Sequence, residues 1–79
     1  MALITKLELA ERNVRGVHDE VDCSYTVFQT REGHRFIQLN TFGTEKRKIQ
    51  GIASQTIQLS EKAAHQLKLL IEQTYPHLK

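Results

Sequence analysis

Val21, Cys23, Tyr25 and Val27 alternate with Asp22, Ser24 and Thr26, and after "REG" at residues 31–33 the run "HRFIQLNTF" alternates again. Successive side chains on a strand point to opposite faces, so two such runs flanking a glycine-containing turn predict a β-hairpin with one apolar face. The register follows from which side is buried, because a slip of one residue moves a strand's whole apolar set to the other face. A two-residue turn at Glu32 and Gly33 pairs Val27 with Gln38. A three-residue loop of Arg31, Glu32 and Gly33, its glycine in the left-handed conformation, instead pairs Val27 with Ile37, Tyr25 with Leu39 and Cys23 with Thr41. This second register keeps apolar with apolar and is the one expected. Its opposite face carries Phe28 across from Phe36, Thr26 across from Gln38 and Ser24 across from Asn40, an aromatic pair on a polar surface.

Beyond Gly51, "IASQTIQLS" predicts a further short strand, with Ala53, Ile57 and Leu59 on one side and Thr56 and Gln58 on the other. Gln55 shares the apolar side and needs a hydrogen-bond partner if buried. Ser60 suits a helix N-cap, Glu61 suits the positive end of the helix dipole, and Pro76 follows the last periodic residue. A helix is therefore expected over residues 61–74. Ala63, Ala64, Leu67, Leu70, Ile71 and Tyr75 fall on one side of it at three- and four-residue spacing and are expected to pack on the sheet, with Leu69 off the stripe.

Residues 3–10 fit two patterns. Leu3, Thr5, Leu7 and Leu9 alternate as on a strand, while Leu3, Ile4, Leu7 and Ala10 also line one side of a short helix; the strand reading is taken. "NVRGVHDE" at residues 13–20 reads as a turn, with Asn13 and Gly16 tolerating positive φ. The resulting order, four strands then a helix, predicts an α+β fold: an antiparallel four-stranded sheet with one C-terminal helix packed on one face and the other face uncovered.

At 79 residues the chain has room for one domain, residues 1–79, with a thin core, and burying a further face against a second copy would help it fold. Cys23 is the one cysteine, so no intrachain disulfide forms and the cytoplasm is the expected compartment. It falls on the core side of its strand, where a thiol behaves as a small hydrophobe. "MALITKLELAER" is too short an apolar run, broken by Lys6 and Glu8, for a signal peptide.

The net charge of +2 is unevenly placed: residues 1–44 hold five basic and six acidic side chains, residues 45–51 three and one, residues 52–79 three and two. The surplus thus concentrates at Lys46, Arg47 and Lys48, in a loop bracketed by Gly43 and Gly51. That loop matches neither the phosphate loop nor the dinucleotide fingerprint, since no helix begins directly after it. Its cations suit either phosphate contact or the solvated tip that keeps an edge strand from aggregating.

Little else in the chain carries chemistry. His18, His34, His65 and His77 lack metal-ligand spacing, and "HDEVD" lacks the glycine and regular ligand spacing of a calcium loop. No metal or cofactor is expected, and no grouping of acid, base and nucleophile points to an enzyme. Phe28 and Phe36 are the distinctive pair. Rings displayed on a sheet, with Arg31, His34 and Arg35 near the hairpin tip, are how single-strand binding folds stack bases while cations follow the backbone.

The segment at residues 36–76, with "QLNTFG", an arginine in the following loop, "SQTIQL" and a closing helix that ends in an aromatic residue and proline, resembles the second half of a family of short bacterial proteins. The resemblance implies no secure activity. A methionyl-tRNA formyltransferase label carried by some members has no counterpart in these residues, for a chain this short holds no folate or formyl-transfer site. More distantly, the layout is similar to single-stranded-DNA-binding coactivators of the positive cofactor four type. That likeness implies a bent antiparallel sheet leading through "IQLS" into one helix, a dimer built partly through the helix, and DNA contact by Phe28, Phe36, Arg35 and Lys46 to Lys48. The low net charge and the negative first half depart from that pattern.

The expected function is a small dimeric protein that binds single-stranded DNA or RNA, stacking bases on Phe28 and Phe36 and contacting phosphates through Arg31, Arg35, Lys46, Arg47 and Lys48. The alternative is a protein–protein interaction module or accessory subunit of a larger bacterial complex, using the same open face or a free strand edge.

Overall fold

The computed structural model describes residues 1–42 and 55–78, in the order β1 (Ala2–Ile4), β2 (Cys23–Gln29), β3 (Arg35–Thr41), β4 (Gln55–Leu59) and α1 (Glu61–Thr74). Strands β2 and β3 form the hairpin in the expected register, Val27 facing Ile37, Tyr25 facing Leu39 and Cys23 facing Thr41. The loop is the three-residue one. Gly33 has φ 90°, its N–H donates to the Thr30 carbonyl at 3.0 Å, and the Thr30 N–H donates to the His34 carbonyl at 2.9 Å. A side chain is strained at that φ, which explains the glycine at the loop's last position.

The spatial order is β1-β4-β3-β2. β4 runs antiparallel to β3 and pairs Leu59 with Ile37 and Ile57 with Leu39, so apolar residues again meet across the ladder. The sheet is mixed, which corrects the expectation of four antiparallel strands: β1 lies parallel to β4, with Ala2 beside Ile57 and Ile4 beside Leu59. It is also shorter than the run at residues 3–10. After Ile4 the chain leaves the sheet, and Leu7 is clasped by one helical amide, its N–H donating to Gln66 Oε1 at 2.8 Å and its carbonyl accepting from Gln66 Nε2 at 3.4 Å. Backbone groups held by a helix side chain are not available to extend the ladder.

The helix spans the expected residues. Ser60 sits in an extended conformation and its Oγ accepts from the Ala63 N–H at 3.2 Å, while Glu61 stands in the first turn and the Tyr75 N–H closes the last turn onto the Ile71 carbonyl at 2.8 Å. Removing the capping oxygen leaves an N-terminal N–H without its partner. Ser60→Ala is therefore expected to lower stability by about 1 kcal/mol, read as a shift of the urea midpoint at unchanged slope.

The core is thinner than the apolar stripe of the helix suggests. Leu59 and Ala63 are the buried apolar side chains among the described residues. Ala64 and Leu67 are half-buried against the sheet, whereas Leu70, Ile71 and Tyr75 of the same stripe are exposed, so the helix docks through its first half alone. Across from it, Tyr25 is 75% and Val27 61% exposed although both lie on the helix side of the sheet. Cys23 shares that side by alternation but is exposed, not a core thiol, since nothing among the described residues covers its end of the strand. Gln55 is likewise exposed and needs no protein partner.

Candidate nucleic-acid interface

The face away from the helix carries Leu3, Ser24, Thr26, Phe28, Phe36, Gln38, Asn40, Thr56 and Gln58, as the period of two in each strand and the registers between strands require. Phe28 and Phe36 are directly paired. Their rings stack with centroids 5.5 Å apart and planes 24° from parallel, an offset arrangement that aromatic quadrupoles favour. Phe28 keeps 36% of its surface exposed and Phe36 is half-buried, so the pair presents an apolar platform at the turn end of the sheet.

Next to the platform lies a chain of side-chain hydrogen bonds. Gln58 Nε2 donates to Gln38 Oε1 at 2.9 Å, Gln38 Nε2 donates to Asn40 Oδ1 at 3.1 Å, and Thr56 Oγ1 donates to the same Asn40 oxygen at 3.2 Å. Phe42 follows at the far end of β3. Its N–H donates to the Asp22 carbonyl at 3.0 Å and so prolongs the hairpin ladder by one pair, which by alternation puts Phe42 on the Phe36 side. Along β3 the face thus reads Phe36, Gln38, Asn40, Phe42. Sequence reasoning noted the polar pairs but not Phe42 or Gln58 as parts of a site; the alternation in "HRFIQLNTF" signals the first, and the pairing of β4 with β3 is needed to see the second.

The expected cations divide. Arg31 stands in the turn, three residues past Phe28, and is exposed. Arg35 does not share the aromatic face. It pairs with Gln29 one residue before Phe36, hence on the helix side, where it lines a hollow with Val27, Ile37 and Glu61. Strict alternation already implies this separation of neighbours. His34 is exposed beside the turn, its N–H donating to Thr30 Oγ1 at 3.2 Å. Lys46, Arg47 and Lys48 lie outside the described residues.

Among the described residues no cluster of three or more His, Cys, Asp or Glu side chains gathers to hold a metal ion, and no helix is long and apolar enough to cross a membrane. No family model, no curated protein and no solved structure matches this chain.

Proposed function

We propose that this protein is a small homodimer that binds single-stranded DNA or RNA on the sheet face away from its helix, a binding protein and not an enzyme. The observation that supports it most is the exposed Phe28–Phe36 stack, set beside neutral hydrogen-bonding side chains on a face from which the chain's own helix is absent. Every base has a π-face, so such a platform accepts unpaired bases of any sequence, and single strands leave those faces free. In this reading phosphate contact comes from Arg31 in the turn and from Lys46, Arg47 and Lys48, which lie outside the described residues.

The dimer is supported by the apolar surface left open on the helix side, where Tyr25, Val27, Leu70 and Ile71 are all exposed. A second copy covering Tyr25, Val27, Leu70 and Ile71 on the helix side supplies the missing half of the core and leaves the aromatic face free.

Fluorescence anisotropy of a labelled oligonucleotide tests the function. Binding is expected at low salt and should weaken as salt rises, with a log–log slope no steeper than about −3, since this reading assigns four cations to phosphate and each single-strand phosphate contact adds about −0.7. No anisotropy change at micromolar protein sinks the reading.

One observation favours a second reading. β2 ends the strand order, and its outer edge presents seven exposed residues, "CSYTVFQ", without charge or proline. Such an edge can accept an added strand from another polypeptide. A copurifying protein with an absorbance ratio free of nucleic acid would support that module.

A further inference from the structure

We infer that Phe42 is a second stacking station, so that the bound strand runs along β3 and needs a minimum length to engage the whole site; this rests on the single-strand reading above. The chain has three phenylalanines, and all three fall on the face away from the helix, whereas Tyr25 lies on the helix side. Phe28 and Phe36 take the turn end of that face and Phe42 the other end. Phe42 is half-buried like Phe36, yet it stacks on no other ring among the described residues. Phe28 and Phe36 each give one ring face to the other, while neither face of Phe42 is taken by a protein ring.

Distance decides what the two stations can hold. Six residues along β3 separate Phe36 from Phe42, which at about 3.4 Å per residue is about 20 Å. A stacked strand advances about 3.4 Å per nucleotide and an unstacked one up to roughly twice that, so about three to six steps connect the stations. One base or two neighbouring bases cannot reach both. A strand of about four to seven nucleotides can, with its first base on the Phe28–Phe36 platform and its last on Phe42.

The floor between the stations fits such a passage. Gln38 and Asn40 are neutral, and the Asn40 oxygen is held by Gln38 Nε2 and Thr56 Oγ1 while its Nδ2 donates to no described residue. Amides of this kind can bond a sugar hydroxyl or the edge of any base, so they admit a strand without selecting its sequence. Asp22 stands across from Phe42 on the same face. Its carboxylate repels phosphate, which directs the backbone past Phe42 on the β4 side, where Asn40 is paired with neutral Thr56. Once a base sits on the first station, the second contact forms within one complex and strengthens only strands long enough to reach it.

The test is a length series: unlabelled oligo(dT) of about 3 to about 12 nucleotides displaces a labelled long oligo(dT), read by anisotropy, from the wild type and from Phe42→Leu. Leucine keeps the apolar bulk but not the π-face. Across about four to seven nucleotides the wild type is expected to gain about fivefold or more in affinity beyond the proportional gain from added binding registers, the low end for one stacked base. Phe42→Leu should remove that rise and leave the shortest competitor within about twofold of its wild-type affinity. Should the variant lose its sheet by circular dichroism, ultraviolet cross-linking of the long oligo(dT) to the wild type, with peptide mapping, is read in its place. Cross-links at Phe42 as well as at Phe28 or Phe36 support the second station, and cross-links at the latter pair alone overturn it. A wild-type series that rises only with the number of registers, or a rise that survives in folded Phe42→Leu, also overturns the inference while leaving the single-strand reading intact. Failure of every oligonucleotide to bind removes both.

Discussion

Replacing Phe28 and Phe36 together by alanine is expected to weaken single-strand binding by about 5- to 150-fold, because one base stacked on aromatic side chains contributes about 1–3 kcal/mol. The lower bound already assumes that the two rings hold a single base between them. Their stacking at 5.5 Å makes them one platform, so the single substitutions should each cost a large part of the double effect and not add. The salt dependence separates this from an electrostatic cause: its slope counts phosphate contacts, and neither ring touches phosphate in this scheme. An unchanged slope with a weakened affinity supports stacking. Affinity indifferent to both substitutions, with the sheet intact by circular dichroism, would falsify the role of the platform.

Val27→Asp should have the largest effect on assembly. Val27 is 61% exposed within one protomer, so a carboxylate there costs the isolated chain little. In the proposed dimer the same position is covered, and burying a valine side chain contributes about 1.5–3 kcal/mol. Two-fold symmetry doubles the loss, about 3–6 kcal/mol per dimer, or about 10²- to 10⁴-fold in its dissociation constant, before any cost of placing a charge in an apolar interface. By light scattering the wild type is expected at about twice 9.1 kDa and the variant at the protomer mass or unfolded. Thr26→Asp is the matched control. It adds the same charge one residue away on the same strand, but on the opposite face, and should leave the mass unchanged while weakening binding to an anionic strand. A wild-type mass of one protomer, or dissociation by both variants alike, would dispose of the helix-side interface.

Much of this geometry is legible in short windows of sequence. The choice between two hairpin registers needed only the match of Val27 with Ile37 and Tyr25 with Leu39, and the loop glycine agreed with it. Ser60, Glu61 and Pro76 marked the helix ends through groups that act within one turn of their own backbone. Arg35, expected near the hairpin tip, stands in the last pair before the turn, on the face opposite Phe36, as alternation alone requires. Cationic character suggested a common role, but adjacent residues on a strand cannot share a face.

The periods, the caps and the hairpin register follow from local signals: periods and caps involve residues a few positions apart, and the register is fixed at a three-residue loop whose strands continue directly from it. Tertiary structure decided the rest. Alternation tells which face a side chain takes but not which strand lies alongside or in which direction, so the parallel pairing of Ala2–Ile4 with β4 was decided only by where the two segments meet in space. The bond from Gln58 to Gln38 arises in the same way, across a strand pair that joins positions twenty residues apart. The partial docking of the helix has a related cause: a stripe's spacing identifies the residues that share a side, whereas their burial depends on how much surface the facing sheet offers, and here that surface ends before Leu70 and Ile71.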